Sequence, residues 1–129
     1  MGITGEQFKQ KARRTYESAE FLEGRKDFEG AANRAYYSVY QALMAKFEEL
    51  GKRPDQYVDL RGEPYTRMRH DLAQTFAKEV LAAQHVLTVS DAEDLRVQAD
   101  YRVDPIIEQE FYRVFVVVPD ILDSWGVPP

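Results

Sequence analysis

The stretch GAANRAYYSVYQAL, residues 30–43, sets its aromatic and apolar side chains at helical spacing. On a helix at about 100° per residue, Asn33, Tyr36, Tyr37, Tyr40, Leu43, Met44 and Phe47 fall within roughly 100° of one another, a single stripe. A plain bundle helix would fill that stripe with leucine, isoleucine and alanine. Here an asparagine stands at its middle and three tyrosines follow. Ala31, Ala32 and Ala35 surround Asn33 and Arg34, so a second helix can approach closely at this point. A buried asparagine without partners costs on the order of 1–3 kcal/mol, so Asn33 should bond to something specific, as should the tyrosine hydroxyls. A core polar network that fixes helix register would meet that demand as well as a functional site would. Arg34 lies off the edge of the stripe, on the side of Gln41 and Glu48.

The same period organises the rest of the chain into helices, with no convincing strand. Thr4 with Gln7 makes a capping box, and Phe8, Ala12, Tyr16, Ala19 and Leu22 carry a first helix to about Gly24. Asp27 caps a second helix that runs to about Leu50 and stops at Gly51. Pro54, Gly62 and Pro64 place a loop over residues 52–65, longer than most bundle connections. Leu72, Ala73, Phe76, Ala77, Val80 and Leu81 mark a third helix over about 66–83. Ser90 with Glu93 reads as a second capping box, opening a fourth helix over 91–103. Asp104–Pro105 reads as an N-cap followed by proline in the first position of a fifth helix. The run VFVVV at 114–118 has strand propensity, but Ile107, Phe111, Val114, Val118, Leu122 and Trp125 repeat at a helical period. A helix is therefore expected there, kinked or interrupted by Pro119. The expected fold is all-α, a five-helix up-and-down bundle, as one domain over residues 1–129.

Charge and composition narrow the function. The net charge is −5 and the pI about 5.1, which argues against a broad nucleic-acid footprint. The charge is uneven. Residues 51–70 hold Lys52, Arg53, Arg61, Arg67 and Arg69 against Asp55, Asp59 and Glu63, whereas the C-terminal portion is strongly acidic. A phosphate-bearing partner would find its better docking place in that middle segment. No apolar run reaches the roughly 20 residues of a membrane helix, and MGITGEQFKQKARR lacks the apolar core of a secretory signal, so a cytoplasmic protein is expected. With no cysteine and only His70 and His85 as histidines, neither a metal site nor a cofactor is expected. No Walker, Rossmann, H-E-x-x-H or G-x-S-x-G pattern is present. Glu48–Glu49 and Glu93–Asp94 read as solvated helix faces.

Several motifs, in order along the chain, resemble the HEPN domain family. Ala32-Asn33-Arg34-Ala35-Tyr36-Tyr37, followed by Tyr40 and Ala42, resembles that family's "A-x-N-R-x-Y-Y-x-x-[FY]-x-A" helix. Arg69-His70 with Phe76 resembles the start of its third helix, and Leu95-Arg96-Val97-Gln98-Ala99-Asp100-Tyr101 the "L-x-x-x-R-x-x-A-D-Y" end of its fourth. The resemblance covers about residues 6–122. It implies a helical bundle, commonly dimeric, found as a toxin paired with a small nucleotidyltransferase antitoxin, in phage defence, or as an RNA- or nucleotide-binding module.

Active members of the family are metal-independent ribonucleases whose signature is an arginine followed four to six residues later by a histidine. Arginine stabilises charge developing on a phosphate and histidine moves a proton near neutral pH. Arg96 matches the family's arginine, while the histidine slot falls on Asp100 and Tyr101. A tyrosine of pKa near 10 is a poor general base, and the family branch with R-x-x-A-D-Y has the same substitution. The catalytic candidates are therefore Arg96, with Asp100, Tyr101 and His70 as helpers, and Tyr101 also matches the tyrosine that some antitoxins modify. Asn33, Arg34, Tyr37 and Arg69 are the candidates to support the cleft or bind nucleotide or RNA. The bland alternatives stand beside these. Arg96 and Asp100 make an i,i+4 surface pair worth ~0.3 kcal/mol, His70 is a capping or packing residue, and His85 is loop material. The implied partners are a second copy of the chain, a nucleotidyltransferase antitoxin, and RNA or a nucleotide, with neither DNA nor a membrane expected. The alternatives are a non-catalytic HEPN module and a purely structural helical dimer.

Overall fold

The computed structural model describes residues 4–127, so residues 1–3 and 128–129 of the expected domain lie outside the described residues. Thr4 opens the first helix as its spacing predicts. Its hydroxyl accepts the Gln7 N–H at 3.2 Å while Gln7 Oε1 accepts the Thr4 N–H at 2.8 Å, closing the capping box of α1 (Gly5–Gly24). At the far end, Lys26 N–H bonds the Glu23 carbonyl and Asp27 N–H bonds that of Leu22, both at 2.9 Å. This is a Schellman ending, with Lys26 rather than glycine at φ +64, a region that costs a β-carbon-bearing residue about 1 kcal/mol. Asp27 then caps α2 (Phe28–Glu49) by accepting the Gly30 N–H at 3.0 Å. The same ending recurs after α2, where Gly51 takes the positive φ without cost.

The short link makes α1 and α2 an antiparallel hairpin. Gly5 N–H donates to Glu48 Oε2 at 2.9 Å and Lys9 pairs with Glu49 at 2.8 Å. A β-carbon on Gly5 would stand 3.2 Å from the Ala45 carbonyl oxygen, so the backbones lie close. Ala12 and Ala19 of α1 and Ala31, Ala32, Ala35, Ala42 and Ala45 of α2 are all buried.

The loop after α2 is ordered by a 3₁₀ turn at Pro54–Gln56 and a single bridge between Val58 and Pro64. α3 (His70–Val80) begins at His70 rather than about residue 66, because Tyr65 is buried, donates to Asp71 at 2.8 Å, and holds the approach extended through Arg69. α4 (Ala83–Tyr101) begins well before the expected start at 91. Ser90 and Glu93 are thus interior helical residues and not a capping box, and His85 lies in a helix rather than a loop. Asp104–Pro105 does not start a helix either. Gln98 Nε2 donates to the Asp104 and Pro105 carbonyls at 3.4 and 3.2 Å, and Ile106 N–H donates to Glu29 at 3.3 Å. These tertiary bonds, with proline's restriction on the residue before it, hold the segment extended until α5 (Glu108–Phe115).

The fifth helix is helical as expected and is interrupted. α5 stops at Phe115 and α6 (Val118–Ser124) carries Pro119 in its first turn, where the missing N–H is harmless. A continuous helix would drive the proline ring into the Phe115 carbonyl. The described residues are all-helical in regular structure, and α2 runs through the centre, packed by α1, α3, α4, α5 and α6. Tyr36, Leu43, Leu72, Phe76, Phe111 and Ile121 are its largest wholly buried side chains. Among the described residues no helix is long and apolar enough to cross a membrane.

Candidate functional site

Glu93, Arg96 and Asp100 lie on the face of α4 that meets α2, where Asp100 reaches Asn33 and Arg96 the Tyr36 ring. Arg96 is only 8% exposed. Its Nη2 lies 2.6 Å from Glu93 Oε1 and its Nη1 3.4 Å from Asp100 Oδ2. The guanidinium sits over the Tyr36 ring at 5.4 Å and the Tyr37 ring at 5.9 Å, within cation–π range. Burial works against the charge, but hydrogen bonding and the charge of Glu93 outweigh it and raise the Arg96 pKa above its ordinary value. The Arg96–Asp100 pair expected on the surface is therefore a buried arginine whose nearer partner is Glu93. Glu93 itself is not on a solvated face, since its side chain is 15% exposed.

Asn33 is half-buried rather than buried, and Asp100, which it bonds, is exposed, yet Asn33 still has a specific partner. Its Nδ2 lies 3.2 and 3.3 Å from the two oxygens of Asp100, and its Oδ1 accepts from Arg34 Nη1. Asp100 thus ties α4 to α2, taking hydrogen bonds from Arg96 and Asn33 together.

On the other side of Arg96, the Tyr36 hydroxyl lies 2.5 Å from His70 Nδ1 at the start of α3. Burial first, and then Glu93, push the Tyr36 pKa far up, so the phenol stays protonated. Burial is also the largest influence on His70 and lowers its pKa; Arg96 adds to that while Glu93 and Asp71 oppose it. The Tyr36–His70 contact suits either tautomer of a neutral imidazole; with the proton on Nδ1 the ring donates to the phenol oxygen and leaves the Nε2 lone pair free to accept a proton. Glu93 Oε2 stands 3.9 Å from His70 Nδ1, and it and Arg96 Nε are buried without a hydrogen-bond partner among the described residues. The rings of Tyr40, Tyr36 and Tyr37 surround the imidazole at 4.9, 5.5 and 6.0 Å.

His70 remains 40% exposed and borders a concavity of about 340 Å³ lined also by Tyr40, Arg67, Met68, Arg69 and Asp71. Arg69 is exposed, 3.9 Å from Asp71, and Arg67 is exposed with no ion pair among the described residues. A neutral histidine beside two solvent-facing guanidiniums can exchange a proton with a ligand whose negative charge the arginines hold.

Of the residues predicted from sequence, Asn33, Arg34, Tyr37, His70, Arg96 and Asp100 come together, and Arg69 stands at the mouth. Tyr101 is 76% exposed at the end of α4, with no hydrogen bond to the cluster among the described residues. Glu93 was missed. Its signal was the i,i+3 spacing to Arg96, which the apparent capping box had already claimed. No group of three histidine, aspartate or glutamate side chains among the described residues is arranged to hold a metal ion. Residues 6–116 match the HEPN domain family, and no curated protein matches the chain closely enough to be called a relative.

Proposed function

The chain belongs to the HEPN domain family, and on that premise we propose that it is the toxin-like component of a nucleotidyltransferase–HEPN module that binds RNA as a cytoplasmic homodimer and cleaves it without metal. The observation that carries this reading is His70: an imidazole biased to the neutral form, fixed through Nδ1 by Tyr36, with Nε2 left for a ligand beside Arg67 and Arg69. In this reading the arginines hold a backbone phosphate and His70 takes the proton of the neighbouring 2′-hydroxyl. The 2′-oxygen attacks phosphorus and the 5′-oxygen leaves with a proton from solvent, giving a 2′,3′-cyclic phosphate and a 5′-hydroxyl end. Arg96 acts from behind, holding Tyr36 and through it the imidazole, rather than touching the phosphate.

A second reading, a HEPN module that binds a nucleotide or a partner protein without turnover, is favoured by the double occupation of Arg96. Both of its terminal nitrogens are bonded to carboxylates, which leaves it little to offer a phosphate. Incubation of the purified protein with total RNA in chelator separates the two. Cleavage with cyclic-phosphate ends is expected, lowered about 100-fold or more by His70→Gln and left unchanged by His85→Gln. Intact RNA with the wild-type protein would sink the catalytic reading. Retention of that RNA on a filter, lost in Arg67→Ala/Arg69→Ala, would leave the binding module standing.

A further inference from the structure

A second groove, sharing no residue with the His70 concavity, opens between α1 and α6. Both helices pack on α2, and the space between them measures about 490 Å³, within the range of ligand sites. Its floor is apolar. Leu122 and Val127 are buried, and the half-buried Tyr16 ring stacks on Phe115 at 5.7 Å. Its rim is acidic. Glu17 and Glu20 stand one helical turn apart on α1, Asp120 and Asp123 one turn apart on α6, and all four are exposed.

Among the described residues lining the groove the one cation, Arg13, is paired with Glu17 at 2.8 Å, and Lys9 near Gly126 is paired with Glu49. Glu20, Asp120 and Asp123 form no ion pair among the described residues. The Tyr16 hydroxyl makes no hydrogen bond among them either. Burial, and then Glu20 and Glu23, push its pKa up to about 12, so it remains a donor. The family match ends at residue 116, before α6 begins.

Uncompensated carboxylates alone would be served by counter-ions. Set around an apolar floor, they ask for a ligand carrying both positive charge and an apolar anchor. We propose that the α1–α6 groove docks a basic amphipathic peptide segment of a partner protein. An apolar side chain would rest on Tyr16, Leu122 and Val127, with lysine or arginine on the two carboxylate rows. Charge complementarity selects this occupant over an RNA or an acidic peptide, either of which the rim repels. A helical segment suits the rows, because basic residues three or four apart present their charges at the same one-turn spacing.

The test is fluorescence anisotropy at physiological salt with a labelled synthetic peptide of leucine and lysine in helical period. Unlabelled competitors are a lysine–serine peptide of equal charge, the leucine–glutamate counterpart, and spermine. The leucine–lysine peptide should bind the wild-type protein and lose about tenfold or more in affinity to Glu20→Lys/Asp123→Lys. Asp55→Lys/Glu63→Lys, which changes net charge equally at a distant loop, should leave it within about twofold. All four positions are exposed, so circular dichroism should report an unchanged fold. No binding to the wild-type protein overturns the proposal. So does an equal loss in the distant double variant, or competition by lysine–serine or spermine as strong as by leucine–lysine, because any of these reduces the groove to general charge attraction.

Discussion

The two long faces of α2 are built on opposite terms. Toward α1 it presents small buried residues, Ala31, Ser38, Ala42 and Ala45, which let the backbones close on each other, with charge confined to its last turn, where Glu48 and Glu49 meet Gly5 and Lys9. Toward α3 and α4 it presents Tyr36, Tyr37 and Tyr40, and against these lie His70, Glu93 and Arg96. The alanine face gains most of its stability from close contact, where adding a methylene is the fault to avoid. The tyrosine face accepts the cost of desolvating an arginine and a glutamate, offset by mutual pairing and by two aromatic rings beneath the guanidinium. One helix thus serves as structural seam on one side and as scaffold for titratable groups on the other. A purely structural bundle has no evident need for the second arrangement, since apolar groups of similar volume are often at least as stable there.

Substitutions can break this contrast from either side. The largest effect is expected for Glu93→Ala, which leaves Arg96 buried with only Asp100 at 3.4 Å. Urea unfolding should report a loss of about 3 kcal/mol, the low end for a broken buried pair because one carboxylate remains. A loss under about 1 kcal/mol would mean that Arg96 swings to solvent, and the face would be no costlier than the surface. Next is Ala42→Leu on the seam, for which overpacking predicts about 2 kcal/mol. The His70–Tyr36 arrangement should be untouched, visible as an unchanged imidazole titration by NMR. A shifted titration would show that the two faces are coupled.

The smallest effect is a pH dependence confined to the tyrosine face. The His70 pKa is lower in the folded chain than its ordinary value of 6.5. The unfolded chain therefore binds more protons below that value. Stability from the neutral imidazole is complete above about pH 6.5 and declines as pH falls through the range beneath it. Comparing wild type with His70→Gln by urea unfolding at pH 7.5 and pH 5.5 should remove part of that decline. An identical decline in both would assign it to other groups.

Much of this was legible in the residues. Thr4, Gln7, Asp27 and Gly51 marked the limits of α1 and α2, because caps and positive-φ ends are local chemistry. Asn33 announced a partner through the cost of leaving its amide unpaired, though nothing in the sequence said that the partner would be Asp100. The errors arose where a local pattern has two uses. Ser90 and Glu93 stand three apart, the spacing of a capping box and equally that of neighbours on one helix face. No glycine or proline between Val80 and Ser90 marks the true break, which falls at Leu81–Ala82. Asp104–Pro105 has the chemistry of a helix start, but Gln98 and Glu29, distant in sequence, claim its backbone groups. The Tyr36–His70 bond joins residues 34 apart and depends on where α3 begins.

Glu93, Arg96 and Asp100 all belong to α4, so two turns of a single helix supply their own countercharges. A slip of α4 along α2 would carry the triad intact and keep its internal pairing. What such a slip forfeits is the contact with Asn33, the tyrosine rings and His70. The charges are thus a self-contained cassette, while their connection to histidine is a matter of tertiary register, and sequence drift in the packing residues of α4 can sever that connection with every charged side chain still in place.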